Sequence, residues 1–266
     1  MVTFKNDSKF FSRDSRGKHQ LDVSELRSAF LLSETATERI RNFRTERLSN
    51  VIAGEMPIIM DENTPKIVLH IVPFGAFEST SRFDLGLLPR NYIGALEPLS
   101  WSLDSGGYSY PRYNFDGLVR EDSASRSYTQ LFRNGGIETV DTLILTTFVR
   151  QVISASLYEQ KILAGLKRYF DAQKQLGVDP PLFVMVSLLG VKGYSITFDG
   201  FDNLRYKKTD YEIDRPNLIA PEVAIDSYDS SLAEAMKPVF DTIANAARWP
   251  RSMSYSEDGK LLHIDL

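Results

Sequence analysis

The most regular feature of the chain is an almost wholly apolar run, KIVLHIVP, at residues 66–73. Strands that are covered on both faces have continuous apolar runs, so this segment predicts a central strand of a sheet. A second run, LFVMVSLLG, predicts another buried strand at 182–190. Between them, alternating segments flank Asn134 and Gly135, a pair typical of a two-residue β-hairpin turn.

Apolar residues at helical spacing predict helices before and after these strands. A capping-box-like pattern at Asp22 starts a first helix that is predicted to end at Phe30, and a second is predicted over residues 35–53. Two further amphipathic helices are predicted at 154–176 and at about 230–248. This order predicts an α/β (α+β) fold, in which a mainly antiparallel or mixed sheet is flanked by helices in an α/β sandwich.

Composition narrows the classes of protein. The 266 residues are 42% hydrophobic and 25% charged, which is typical of a globular protein with a core. The chain has no cysteine, which excludes disulfides, thiolate metal sites and a cysteine nucleophile. Neither a signal peptide nor an apolar stretch long enough for a bilayer occurs, so we expect a cytoplasmic protein with no membrane partner.

Charge is distributed unevenly along the chain. Residues 1–48 carry ten Lys/Arg and seven Asp/Glu, whereas the rest carries twenty-one and twenty-eight. A basic N-terminal segment followed by an acidic remainder indicates an anionic partner or an ordinary solvated surface.

Aromatic residues, 11% of the chain, often lie near basic ones. Such interleaving suits stacking on single-stranded bases, a protein interface or a core.

Motifs for catalysis and cofactor binding are absent from the sequence. The three histidines, His19, His70 and His263, lack the spacing of metal ligands. No phosphate-binding Gly-x-x-x-x-Gly-Lys loop and no Gly-x-Ser-x-Gly elbow occurs. We therefore predict no catalytic residue, no metal and no cofactor. His70, within an apolar run, is predicted to be a hydrogen-bonded core histidine.

Two arginines stand beside the apolar face of the second predicted helix. Arg44 falls inside the apolar arc and Arg47 near its edge; the arc consists of Ile40, Phe43, Leu48 and Val51. Burying an unpaired guanidinium is costly, so each must snorkel, pair with a carboxylate or meet a phosphate. One interpretation is an ion pair with an acidic side chain of the sheet. The other is a clamp on phosphate, because residues at i, i+3 are neighbours on a helix.

The segment YPRYNFDGLV has polar and aromatic residues in alternation. A period of two places Arg112, Asn114 and Asp116 on one face, and Tyr113 and Phe115 on the other. These three polar side chains can bind a base edge or a sugar. Alternatively, the Asn and Asp simply build a turn.

Several segments together resemble the C-terminal region of bacterial Schlafen AlbA-like domain proteins, which are often labelled DNA-binding, divergent AAA or ATP-binding. Residues 10–30, FFSRDSRGKHQLDVSELRSAF, resemble the exit from the AlbA-like domain. In that domain, the last strand reads roughly Phe/Tyr-x-Arg-x-x-x-Gly and precedes a helix with a Glu-Leu/Ile-Arg core. The matching residues here are Phe11, Arg13, Gly17, Glu25, Leu26 and Arg27. Four later landmarks also match: VLHIVP-x-x-AF at 68–77, R-x-N-x-DG at 112–117, YTQLFRNGGIE at 128–138 and Gly-Val-x-Gly at 190–193.

This resemblance implies that residues 1–33 are the terminal strand and helix of an AlbA-like domain and that 34–266 are a C-terminal α/β domain. The Glu-rich strand that holds a metal in nucleolytic relatives is not present, since residues 2–7 have Thr3 at the position of its second Glu. The chain is thus expected to be a non-catalytic nucleic-acid-associated or assembly module of a regulator or phage-defence protein.

The expected partners are an AlbA-like domain, in cis or as a separate subunit, DNA or RNA, and further copies of the chain in an oligomer. The candidate residues for binding nucleic acid or a partner are Arg13, Arg16, Lys18, Arg44, Arg47, Arg112, Asn114 and Asp116. The alternative is a metal-dependent nuclease or nucleotide-acting enzyme, with Asp116, Glu121 and Asp141 around a metal. Such chemistry requires those carboxylates to converge in one cleft.

Overall fold

The structure is a computed structural model. It describes residues 2–4, 7–9, 11–14, 17–20, 23–78, 82–88, 94–100, 110–146, 151–198, 212–256 and 261–262, with side chains from residue 35 onward. The helices are α1 (Val23–Ile52), α2 (Leu143–Thr146), α3 (Ala155–Gln175) and α4 (Leu232–Ala246). The strands are β1 (Val2–Phe4), β2 (Asp7–Lys9), β3 (Phe11–Asp14), β4 (Gly17–Gln20), β5 (Lys66–Pro73), β6 (Arg112–Tyr113), β7 (Gly117–Glu121), β8 (Ser127–Phe132), β9 (Ile137–Asp141), β10 (Val152–Ser154), β11 (Leu182–Leu189), β12 (Ser195–Thr197), β13 (Asn217–Ile219) and β14 (Val223–Ile225).

The chain forms two compact units, Met1–Phe43 and Arg44–Leu266. Their division falls inside α1, later than the domain boundary after residue 33 that the sequence suggested. In the first unit, β1 pairs with β2 and β3 pairs with β4, both antiparallel. Arg13 and Lys18 are register partners in the second of these hairpins. Their side chains, and the whole of Arg16, lie outside the described residues.

Helix α1 is one continuous helix of 30 residues, so the predicted break after Phe30 is wrong. Segment 23–52 contains neither glycine nor proline, the two residues that interrupt helices most strongly, so nothing in the sequence stops propagation. The polar residues around Thr35, which resemble a helix cap, lie inside the helix. The predicted end is confirmed, because Gly54 has a φ of 77° directly after the last turn.

The second unit is built on an antiparallel sheet, which confirms an α+β fold. Its strands follow the order β13, β11, β5, β9, β8, β7, β6, and β14 also pairs with β11. Strand β5 covers the predicted residues 66–73 and lies between β11 and β9, so it is central as expected. In the described part of the chain, β6 forms one edge, and β13 and β14 share the other. A separate parallel pair consists of β10 and β12.

Both faces of the sheet are covered, which explains why β5 is apolar throughout. On one face, Ile67, Leu69 and Ile71 pack in the main core with α3 and α4. On the other, a smaller core joins Val68 of β5 to Leu48 of α1. The remaining members of this second core are Val51, Ile58, Met60, Val119, Tyr128, Val140 and Leu189. The last turns of α1 therefore cover the face on which the candidate site is built.

The predicted hairpin at Asn134 and Gly135 joins β8 and β9, but its loop is longer than two residues. The last register pair is Leu131 with Ile137, and the N–H of Phe132 donates to the carbonyl of Gly136 at 2.8 Å. Gly135 has a φ of 81°, a conformation that glycine adopts at little cost. The turn residues were thus identified correctly and the turn type was not.

The two later helices agree with their prediction. Helix α3 begins after Ser154, whose hydroxyl accepts a hydrogen bond from the N–H of Leu157. The apolar face of α3 is fully buried, and α4 likewise buries Met236 and Phe240. The buried residues of that face of α3 are Tyr158, Ile162, Leu166 and Tyr169. No helix in the described part of the chain is both long and apolar enough to cross a membrane.

Candidate functional site

A row of polar side chains crosses the sheet on the face covered by α1. The register places His70 of β5 beside Glu138 of β9, and Glu138 beside Gln130 of β8. Tyr128 lies two residues before Gln130 and therefore points to the same side. All four residues are at most 1% exposed. Buried polar groups of this kind must be hydrogen-bonded, because unpaired burial is costly.

Glu138 is the centre of the buried network. Its Oε2 accepts from Nε of Arg47 at 2.9 Å, and its Oε1 accepts from Nη2 at 2.8 Å, a two-point arginine–carboxylate contact. The hydroxyl of Tyr128 donates to Oε1 at 2.8 Å, and Nε2 of His70 lies 2.9 Å from Oε2. The guanidinium also lies over the ring of Phe132, 5.3 Å from its centroid. His70 is therefore a hydrogen-bonded core histidine, as predicted.

These contacts determine the ionisation of the network. Burial raises the pKa of Glu138, but hydrogen bonds from Arg47 and His70 outweigh it and lower the pKa to about 2. Burial lowers the pKa of Arg47, but the hydrogen bonds and charge of Glu138 raise it above its ordinary value. Burial, and then the charge of Glu138, raise the pKa of Tyr128. At neutral pH the network holds a carboxylate and a guanidinium in contact.

Arg44 and Arg47 bind different acceptors. Nη1 of Arg44 donates to the carbonyl of Ala220 at 2.8 Å, and Nη2 lies 3.8 Å from Glu222. Arg47 binds Glu138, which is an acidic side chain of the sheet, so the ion-pair interpretation is confirmed for it. The two guanidiniums do not form a joint clamp in this structure. Neither sequence spacing nor the apolar arc indicated that Arg47 would make the more extensive contact.

The β6–β7 hairpin brings its polar side chains to the same face. Oδ1 of Asn114 accepts from the N–H of Gly117 at 2.8 Å, which is the turn that the sequence allowed. Nδ2 of Asn114 donates to Oε1 of Gln130 at 2.6 Å. Nε of Arg112 donates to Glu121 at 3.3 Å, and its Nη2 donates to the carbonyl of Pro57 at 2.9 Å. Asn114 therefore both builds the turn and joins the polar row.

A pocket of about 220 Å³ opens between this hairpin and the chain after α1. We call it the hairpin pocket; its lining residues are Arg47, Glu55, Met56, Pro57, Asn114, Phe115, Asp116 and Gln130. Three candidates from the sequence, Arg47, Asn114 and Asp116, line it together. Arg112 reaches it through its bond to Pro57. Phe115 was assigned to the opposite face, but it also lines the pocket, because the strand ends at Tyr113 and alternation stops.

Gly117 allows the hairpin to pack. Its φ is 157°, and a Cβ built on it would lie 2.0 Å from the carbonyl oxygen of Leu131. We expect Gly117→Ala to lower the free energy of unfolding by about 2 kcal/mol, because β7 must move away from β8. Chemical denaturation measures this change. Gly94→Ala, where the nearest atom to the new methyl group is 3.8 Å away, is the control. Equal stability of the two variants would contradict the close packing.

The carboxylates of the alternative enzyme do not converge. Asp141 is fully buried on the side of α3, where it accepts hydrogen bonds from the N–H groups of Ser100, Leu143 and Ile144. Glu121 lies on the opposite face, where it contacts Arg112. In the described ranges, no three His, Asp or Glu side chains are grouped so that they could hold a metal ion. Alternation along strands places these carboxylates on different faces.

A further buried carboxyl, Glu159 of α3, was not identified from the sequence. Its Oε1 and Oε2 accept from the hydroxyl of Ser252 at 2.8 and 3.1 Å. Burial raises its pKa to about 7, and the nearby charge of Asp241 adds to the increase. The sequence does indicate that Glu159 is buried. It stands three residues before Ile162 and seven before Leu166, and this spacing places it on the apolar face of the helix.

A larger pocket lies elsewhere. A cavity of about 570 Å³ opens between β13 and α4, and its lining includes Asn217, Leu218, Asn245 and Arg248. None of the candidate residues from the sequence lies in it. The hairpin pocket is smaller, but it alone of the two adjoins the buried polar row. We therefore take the hairpin pocket as the candidate site.

Comparisons of the chain with protein-family models, with curated proteins and with solved structures find no match. The resemblance to Schlafen AlbA-like proteins therefore stays a prediction. The geometry of the site is described from this chain alone.

Proposed function

We propose that the chain is a non-catalytic binding module of a bacterial Schlafen AlbA-like regulator or phage-defence protein, acting in the cytoplasm in association with nucleic acid or in an assembly. An AlbA-like domain, in cis or as a separate subunit, is its expected partner. The proposal rests on the resemblance of several chain segments to that family. Among them are the hairpins at 112–117 and 128–138.

One observation carries the proposal. The two hairpins that resemble the family motifs supply four of the eight residues of the hairpin pocket, namely Asn114, Phe115, Asp116 and Gln130. Residues that are far apart in sequence thus form one concave polar surface with an aromatic rim. Concave sites with a few convergent polar groups are where proteins usually bind ligands. The mixture of donor, acceptor and aromatic groups favours the nucleic-acid part of the proposal.

The binding experiment uses the purified chain with labelled single-stranded and double-stranded oligonucleotides of mixed sequence, with Mg²⁺ present. We expect single strands to bind without being cleaved, and binding to weaken as salt rises, because phosphate contacts release counterions. Fluorescence anisotropy measures binding and gel electrophoresis detects cleavage. Light scattering on the same samples reports whether the chain assembles. Cleavage, or a monomer that binds no nucleic acid, would contradict the proposal.

A further inference from the structure

The hairpin pocket presents one defined donor. Two nitrogens of Arg47, Nε and Nη2, are bound to Glu138, which fixes the guanidinium plane. The bonds to Glu138 do not use Nη1, and Arg47 lines the pocket. Nη1 is therefore available to a guest. A donor on a side chain already held in place loses little conformational entropy when it binds a guest.

The acceptor is Asp116. Its side chain is exposed, and its carboxylate accepts no hydrogen bond from the residues that the structure describes. Burial lowers the pKa of Arg47, whereas Glu138, then the charge of Tyr128 and last the charge of Asp116 raise it. The two groups thus influence each other without forming a direct ion pair. Both residues line the hairpin pocket, so a ligand bound there can contact both.

The charges exclude the simplest guests. A free phosphate would meet Asp116 and Glu55, which both line the pocket, and like charges repel. An ammonium ion would meet the guanidinium of Arg47. The arrangement instead suits a neutral group that offers an acceptor on one side and donors on the other. Carboxylates accept from N–H groups, and arginine donates to carbonyl oxygens.

An aromatic side chain stands at the rim. Phe115 is 96% exposed, although large apolar residues are usually buried. The flat ring of such a residue can stack on a planar base. The volume of about 220 Å³ lies below the roughly 300 Å³ at which drug-sized sites begin. The pocket therefore suits one heterocycle rather than a complete nucleotide.

The geometry points to a single unpaired nucleobase as the guest of the hairpin pocket, with guanine preferred. The Watson–Crick edge of guanine has one carbonyl oxygen beside two N–H donors, so it can accept from Arg47 and donate to Asp116. Adenine has no carbonyl oxygen, and cytosine and uracil lack that pair of adjacent donors. Unpaired bases in single strands are recognised by stacking and by these edges. The inference rests on the proposed association with nucleic acid and names its target at the same site.

The test compares strands that differ in one base. Labelled oligo-dT of about nine nucleotides, a length within the usual site size, is prepared with one central dG, dA or dC, or unaltered. We expect the dG strand to bind the full chain about tenfold more tightly than the others, because a good two-point contact discriminates bases at this level. Asp116→Asn should abolish the preference for the dG strand. Phe115→Ala should weaken the binding of all four strands, because it removes the ring on which a base can stack.

Asp226→Asn, which alters an exposed carboxylate outside the pocket, is the matched control and should retain the preference. A thermal melt of each variant confirms that it is folded. If all strands bind equally and Asp116→Asn changes nothing, the inference is overturned, while the proposed function stands. If no strand binds, the inference is overturned, and the proposed function is overturned as well where light scattering shows a monomer. Binding of an arginine-rich peptide instead would identify the pocket as a protein-docking site.

Discussion

Replacing Glu138 by glutamine is expected to lower the free energy of unfolding by about 3–5 kcal/mol. The change removes the carboxylate that neutralises Arg47, and a buried charge without its partner is strongly destabilising. Chemical denaturation at neutral pH measures the loss. The matched control is Glu121→Gln on β7, whose partner Arg112 is half exposed. Surface pairs of that kind contribute at most about 1 kcal/mol.

The same network predicts that the free energy of unfolding decreases as the pH falls. The pKa of Glu138 is about 2 in the folded chain and about 4.5 when unperturbed. Its ionised form therefore stabilises the fold above pH 4.5, and this contribution is lost as the pH falls towards 2.

The double variant Arg47→Met/Glu138→Leu should be more stable than Glu138→Gln, because it buries no unpaired charge. If the double variant were the less stable one, the destabilisation would not come from an unpaired charge.

Replacing Glu159 by glutamine is expected to stabilise the fold by up to about 3 kcal/mol above pH 7 and to have little effect below pH 4.5. The pKa of this carboxyl is about 7 in the folded chain and about 4.5 when unperturbed. As the pH rises between these values, the carboxyl ionises in the unfolded chain but stays protonated in the fold, so stability falls. Glutamine is neutral throughout, and its carbonyl can still accept from Ser252.

Unfolding by denaturant at a series of pH values measures the difference between the two chains. Asp171→Asn removes an exposed carboxyl of the same helix and shows what the loss of a charge does by itself. A stabilisation that is the same at pH 4 and pH 8 would mean that ionisation of Glu159 is not its cause.

Much of the fold could be predicted from local pattern. The central strand at 66–73 coincides with β5, because a strand covered on both faces is apolar at every position. The helix α3 was found from the helical spacing of its apolar residues. The predicted gap after Phe30 was wrong because polar residues that cap helices also occur inside them, and only packing distinguishes the two cases.

The candidate site was predictable only in part. A carboxylate partner for an arginine of α1 was expected, but Glu138 was not identified, because strand pairing decides which side chains meet. One sequence signal does exist. Glu138 and Val140 are two residues apart and therefore share one face of the strand. A carboxylate on a buried face requires a partner. The pocket itself needs residues from α1, two hairpins and the loop after α1. No local sequence pattern predicts that these segments come together in the fold.

The position of β5 also has a consequence during synthesis. Both of its neighbours in the sheet come later in the chain, since β9 starts at Ile137 and β11 at Leu182. About 60 residues are made after β5 before β9 emerges, which takes roughly 3–12 s at the usual rate of translation. Throughout that time the most apolar segment of the nascent chain has no strand partner. Residues 66–73 are therefore exposed to chaperones that bind extended apolar segments until β9 has been made.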